Sequence, residues 1–198
     1  MKQAFRGSIL HFIDDPAPDD RAGAYEYHED GILLVEEGRV AGLGSARELL
    51  PALPGATEVQ DCSGRLIVPG FIDAHTHFVQ TDVIAACGRR LLDWLDDYVF
   101  PAEQAFADPV HATEVARFFI SELWRNGTTT ALVHGSVHGA SVDAVFEAAE
   151  AQGMRLIAGK AMMDRNCPVA LRDTAESGYA ESKALIERWH GRGRLRYA

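Results

Sequence analysis

The chain has 198 residues, 47% of them hydrophobic and 24% charged, a balance that fits a folded globular core and excludes a disordered or low-complexity chain. Its 29 acidic and 19 basic residues leave a formal charge of −10, which argues against a nucleic-acid partner, and no apolar run approaches the roughly 18 residues needed to span a bilayer. Three separated cysteines, Cys62, Cys87 and Cys167, exclude a disulfide framework and a thiolate zinc site, and with no signal-like N-terminus a cytoplasmic protein is expected.

Residues 4–13, 31–36, 39–43 and 58–61 read as short strands with turn punctuation, which predicts a small β-sheet or sandwich over residues 1–65. The stretch Glu36-Glu-Gly-Arg39 reads as a hairpin turn, and residues 14–20, rich in Asp and Pro, as a solvated loop. From residue 66 the pattern changes. Residues 66–74 form an apolar strand, broken at Pro69-Gly70 as by a turn or bulge, that ends in His75-Thr-His77. A helix then opens at Asp108 and stops at Asn126-Gly127, and residues 128–134 form a β-branched strand. A helix over 141–152, a strand over 155–163, an amphipathic helix over 174–189 and a strand opening at 195–198 complete the pattern. The arginine-rich run 188–196 reads as a solvated helix end.

This order, β then α repeated, predicts an α/β fold with parallel strands joined by helical crossovers. A (β/α)8 barrel takes about 250 residues. Residues 66–198 therefore fit about four strands, the first half of such a barrel, and the chain is expected to lack the later strands.

Side chains two apart on a strand share a face, about 6.6 Å apart along the backbone, so His75 and His77 can turn onto one divalent ion. Random placement of eight histidines in 198 residues gives about 0.3 such pairs, so the pair alone carries little weight. Its surroundings add to it: Asp73 sits where a carboxylate could orient an imidazole. His134 and His138 end the strand over 128–134 and read as structural or pocket-edge groups, His138 being the one expected nearer the site. Asp164-Arg-Asn166 reads as a network that fixes a loop.

The stretch Val68-Pro-Gly-Phe-Ile-Asp-Ala-His-Thr-His77 resembles the first-strand signature of the amidohydrolase superfamily, P-G-x-x-D-x-H-x-H. Residues 78–80, 91–95, 98–103, 126–131 and 159–166 extend the resemblance to the guanine deaminases of that superfamily. The resemblance implies a partial (β/α)8 TIM-type barrel of the amidohydrolase type preceded by a small N-terminal β-sheet or sandwich domain. It implies a hydrolase that converts guanine and water to xanthine and ammonia through a metal-activated water, with one Zn²⁺ (Fe²⁺ also suits such ligands), and a homodimer in the full-length form. His75 and His77 would be metal ligands, and His77, Gln80 and Trp94 would face the substrate.

Other readings stand beside these. Gln80 either holds the purine edge or caps the following helix or loop; Trp94 either stacks on the flat base or packs in the core. Lys160 sits on the third strand of the barrel pattern, where a carboxylated lysine of dinuclear relatives is not expected. The remaining ligands and the proton-shuttling glutamate would come from later strands, so no catalytic residue is expected within these 198 residues, and two ligands alone would bind zinc poorly. The scaffold also suits another aminohydrolase or a chlorohydrolase, and the chain alone could be a non-catalytic fragment.

Overall fold

Four strands of 7 to 12 residues and one four-residue α-helix build the N-terminal part of the computed structural model, which describes residues 2–15, 22–88 and 90–198. Of the loop expected over 14–20, residues 16–20 lie outside the described residues. The chain divides into two compact units, Met1–Pro69 and Gly70–Ala198.

In the first unit β1 (Lys2–Phe12), β2 (Tyr25–Glu36), β3 (Arg39–Ser45) and β4 (Glu58–Ile67) form one sheet in the order β3-β2-β1-β4. Adjacent β1/β2 and β2/β3 are antiparallel, while β1 and β4 run parallel. The turn between β2 and β3 is the expected hairpin: Glu37 and Gly38 both take positive φ, 52° and 75°, as a two-residue turn matching the strand twist requires. Strand β2 starts at Tyr25, earlier than its apolar part, because Tyr25–His28 continues the ladder against Phe12–Ile9 beyond a bulge in β2, where Glu29 and Asp30 stand against Ser8. Ala4, Ile32 and the first residue of α1 (Ala46–Leu49) are buried together, with Leu34 and Leu49 packed against them. Leu66 and Ile67 pair with Ser8 and Ile9, so the apolar run of residues 66–74 is shared between two sheets and the units divide at Pro69/Gly70, not at residue 65.

The second unit holds a four-stranded sheet in the order β5-β6-β7-β8, every neighbouring pair parallel: β5 (Phe71–His77), β6 (Thr128–His134), β7 (Arg155–Gly159) and β8 (Leu195–Tyr197). Between β5 and β6 run α2 (Leu91–Trp94), a π-helical turn (Leu95–Val99), α3 (Phe100–Gln104), a 3-10 turn (Ala105–Ala107) and the long α4 (Pro109–Arg125). The crossover helices α5 (Gly139–Ala151) and α6 (Ala175–Trp189) follow β6 and β7.

The helix ends follow local chemistry. Asp108 accepts a hydrogen bond from the Val110 N–H at the start of α4, Pro109 needs no donor there, and Gly127 at φ 80° turns the chain out of the helix. A reciprocal capping box joins Thr174 and Ser177 at α6. Ala131 and Val133 of β6 and Leu156 and Ala158 of β7 are buried in one core with Ile120 of α4 and Phe146 of α5. Strand alternation then places His134 on the face of β6 opposite that core.

One further expectation changes. Strand β7 ends at Gly159, not at 163, because the Ala161 N–H turns to the Ser136 carbonyl and Met162 faces solvent at 66% exposure. The arginine-rich run is the expected solvated helix end, with Arg188, Arg192 and Arg194 exposed, and it also makes contacts: Arg192 binds Glu150 through two bonds of 2.6 Å and lies over Trp189, and Arg188 pairs with Asp143, which also accepts from the Trp189 indole N–H. These contacts fasten the end of α6 to α5. Among the described residues the three cysteines are free, and no helix is long and apolar enough to cross a membrane.

Candidate metal centre and pocket

At the C-terminal end of β5 the two-residue repeat brings His75 and His77 together, with their Nε2 atoms 3.2 Å apart. The parallel register then brings in His134, expected only as a structural or pocket-edge group: last in β6, it lies opposite His77. Its ring centroid is 4.8 Å from His75 and 4.5 Å from His77, nearly parallel to the latter at 17°. One ligand nitrogen from each of the three rings lies within 4.8 Å of the others. Tetrahedral bonds of about 2.0 to 2.1 Å set ligand atoms about 3.3 Å apart, so this donor set fits a divalent ion such as zinc. It is His134, and not His138, that approaches the pair.

Burial pushes the pKa of His77 down, and the neighbouring His134 and His75 push it the same way. The ring is thereby kept neutral, the form in which it can donate a lone pair to a metal. Asp73 takes a different part from the one expected: its Oδ1 accepts from the backbone N–H of His75 at 3.0 Å, which fixes the chain at the strand end instead of an imidazole.

Gln80 follows in the 3-10 turn Phe78–Val83, with its amide nitrogen 3.4 Å from His77 Nδ1. The same nitrogen donates to Glu103 Oε1 of α3 at 3.3 Å. Gln80 therefore links a metal-site imidazole to a buried carboxyl, and these side-chain contacts are not those of a helix cap. Sequence reading passed over Glu103, since a glutamate in a helical stretch usually faces water.

Burial raises the pKa of Glu103 and the hydrogen bond from Gln80 lowers it, with a net upward shift. The folded chain thus favours the neutral acid, so Glu103 contributes stability at pH below the ordinary glutamate range and loses it as pH rises through the raised value. Glu103→Gln should flatten the fall in melting temperature between mildly acidic and neutral pH. Melting curves with an unchanged pH slope would rule out this titration.

His75, His77 and Gln80 line a cavity of about 380 Å³ together with Ile84, Trp94 and Phe119. Trp94 is half-buried and donates its indole N–H to the Ala86 carbonyl at 3.0 Å, which fixes its ring at the cavity wall. Such a volume suits a small planar ligand. His138 precedes α5, and its Nε2 is buried without a hydrogen bond. Lys160, next to β7, reaches Asp173 at 2.8 Å and Glu181 at 2.7 Å. Asp164 and Arg165 are exposed and 3.7 Å apart, a loose pair in place of the expected network.

The amidohydrolase family pattern matches residues 66–196. The chain is 50% identical to the guanine deaminase of Escherichia coli (strain K12) over 99% of its own length and 45% of that protein, so it spans about half the length of this relative. The solved structure of the E. coli enzyme superposes with a TM-score of 0.93 at 49% identity, over 98% of this chain and 45% of the other. Guanine deaminase from Bradyrhizobium japonicum superposes with a TM-score of 0.94 at 36% identity, over 100% of this chain and 43% of the other. The parallel sheet β5 to β8 is thus part of an amidohydrolase-type barrel, with a small sheet before it. The signature, the parallel sheet and the matched segment agree, and the chain belongs to the amidohydrolase family.

Proposed function

We propose that these residues are the N-terminal part of a guanine deaminase, which hydrolyses guanine to xanthine and ammonia. The observation that carries this reading is the lining of one cavity by His75, His77, Gln80 and Trp94 in a chain half identical to a guanine deaminase. His75 and His77 are the metal ligands, with His134 as the third imidazole available. Zinc is the ion that this nitrogen set suits best, Fe²⁺ being the next choice; when bound it supplies the charge that makes water acidic near neutral pH.

The rest falls to the side chains. The Gln80 amide nitrogen gives one N–H to Glu103 and lies against His77 Nδ1, which leaves its carbonyl oxygen for a donor on the purine edge. Trp94 offers a flat apolar surface to the ring, worth about 1 kcal/mol beyond the area it covers. Three free cysteines suit the reducing setting of a cytoplasmic enzyme. A homodimer is the assembly we assign to the full-length form, and guanine its small-molecule partner.

The test is ammonia release by the full-length product of the gene encoding these residues, offered guanine, adenine, cytosine and a triazine. Guanine should be turned over well ahead of the others, and Gln80→Ala should raise KM for guanine about tenfold, the effect of losing one or two hydrogen bonds to the base. Turnover of a triazine or of adenine without guanine would overturn the assignment.

A further inference from the structure

A second group of metal-ligating side chains lies in the first unit, outside the cavity described above. Strands β1 and β2 pair His11 directly with Glu26, and His28, two positions further along β2, shares the face of Glu26. His11 Nε2 lies 3.2 Å and His28 Nε2 3.6 Å from the same oxygen, Glu26 Oε2. All three ligand atoms fall within 4.8 Å of one another. The His28 Nε2 atom is buried and makes no hydrogen bond, so its place in the cluster satisfies no other group.

From this we infer that His11, Glu26 and His28 form a second divalent-metal site, independent of the barrel and of the proposed deaminase activity. The two separations bracket the roughly 3.3 Å expected between ligands of a tetrahedral ion with bonds of about 2.0 to 2.1 Å. Two imidazoles and one carboxylate select a borderline cation, such as Zn²⁺, Cu²⁺ or Ni²⁺; Mg²⁺ and Ca²⁺ prefer oxygen ligands alone. Three protein ligands leave the remaining position for water.

The placement of the ligands gives the site its role. His11 is the next-to-last residue of β1 and Glu26 the second of β2, so an ion here ties the two strands together where the chain leaves the sheet and re-enters it. An ion that binds only the folded form shifts the folding equilibrium toward it.

The test uses the 198-residue chain carrying His75→Ala and His77→Ala, so that the barrel pair no longer competes. Equilibrium dialysis against Zn²⁺ with metal analysis should find one ion still bound. Adding His11→Ala or His28→Ala should weaken it by about tenfold or more, the size of effect that a merely orienting partner already produces. Glu26→Gln, a neutral change at an exposed carboxylate, keeps the sheet intact and should weaken binding as well. Zn²⁺ should raise the melting temperature of the His75→Ala/His77→Ala chain and leave that of the chain also lacking His11 and His28 unchanged. In the Cu²⁺-loaded form, electron paramagnetic resonance should show coupling to two imidazole nitrogens. Zinc binding and zinc-dependent melting that are indifferent to His11, Glu26 and His28 would overturn the inference and leave the cluster an imidazole–carboxylate ion pair.

Discussion

Replacing His77 with alanine should abolish guanine turnover by the full-length enzyme and reduce zinc content to background, with a loss well beyond the about 10- to 100-fold typical of removing an outer partner of a metal ligand. His77 stands in the middle of the cluster. Its Nε2 faces His75, its ring stacks on His134 and its Nδ1 meets the amide of Gln80. On the proposed reading, removing it takes away a metal ligand and also the group that joins this site to the amide of Gln80. Metal analysis and ammonia release on the same preparation check this. A variant that keeps its zinc and loses only turnover would show that His77 is not a ligand.

The second large effect concerns stability. Lys160→Met should destabilise the second unit by about 3 kcal/mol, the low end of the cost of breaking a buried ion pair, and lower its melting temperature by about 10 °C. The Lys160 side chain is 0% exposed, and Asp173, at 11%, is left without its partner. Glu181 is 49% exposed and can turn to water, so Glu181→Gln should cost about 1 kcal/mol at most. Burial pushes the Lys160 pKa down, but the hydrogen bonds to Asp173 and Glu181, with their charges, outweigh it and raise the value. A raised lysine value means that the pair stabilises the fold throughout the neutral range and gives way only as pH climbs through strongly alkaline values. Equal melting temperatures for Lys160→Met and the unaltered chain would show that the triad adds nothing.

Local rules made much of this molecule legible. Asp108 and Asn126-Gly127 announced both ends of α4, the β-branched run announced β6, and Glu36-Glu-Gly-Arg39 gave the hairpin. The His75/His77 pair was readable because strand period alone puts both rings on one side. What stayed hidden depends on register. His134 joins the site only because β6 lies beside β5 in a register that sets it against His77, and a single sequence does not carry interstrand register. The link from Glu103 to Gln80 is of the same kind, made across a helical run of ordinary appearance. Residues 66–74 misled for a related reason: the break at Pro69-Gly70 was visible, but apolarity does not say which sheet each half enters. In β2 the polar start, Tyr25–His28, concealed a strand whose hydrogen bonds are made whatever its side chains.

The π-helical turn at Leu95–Val99 acts as a phase shifter. Trp94 and Glu103 are nine positions apart in the chain, and in an uninterrupted α-helix at about 100° per residue they would point in opposite directions. The wide turn between them takes up about one extra residue and brings them to within about 80° of each other. That is how one helical run can give the cavity its aromatic wall and also brace Gln80 from behind. The width of this turn, as much as residue type, is therefore constrained between Leu95 and Val99: closing it into regular α-helix with every residue kept would leave the composition of the wall intact and turn Trp94 and Glu103 apart.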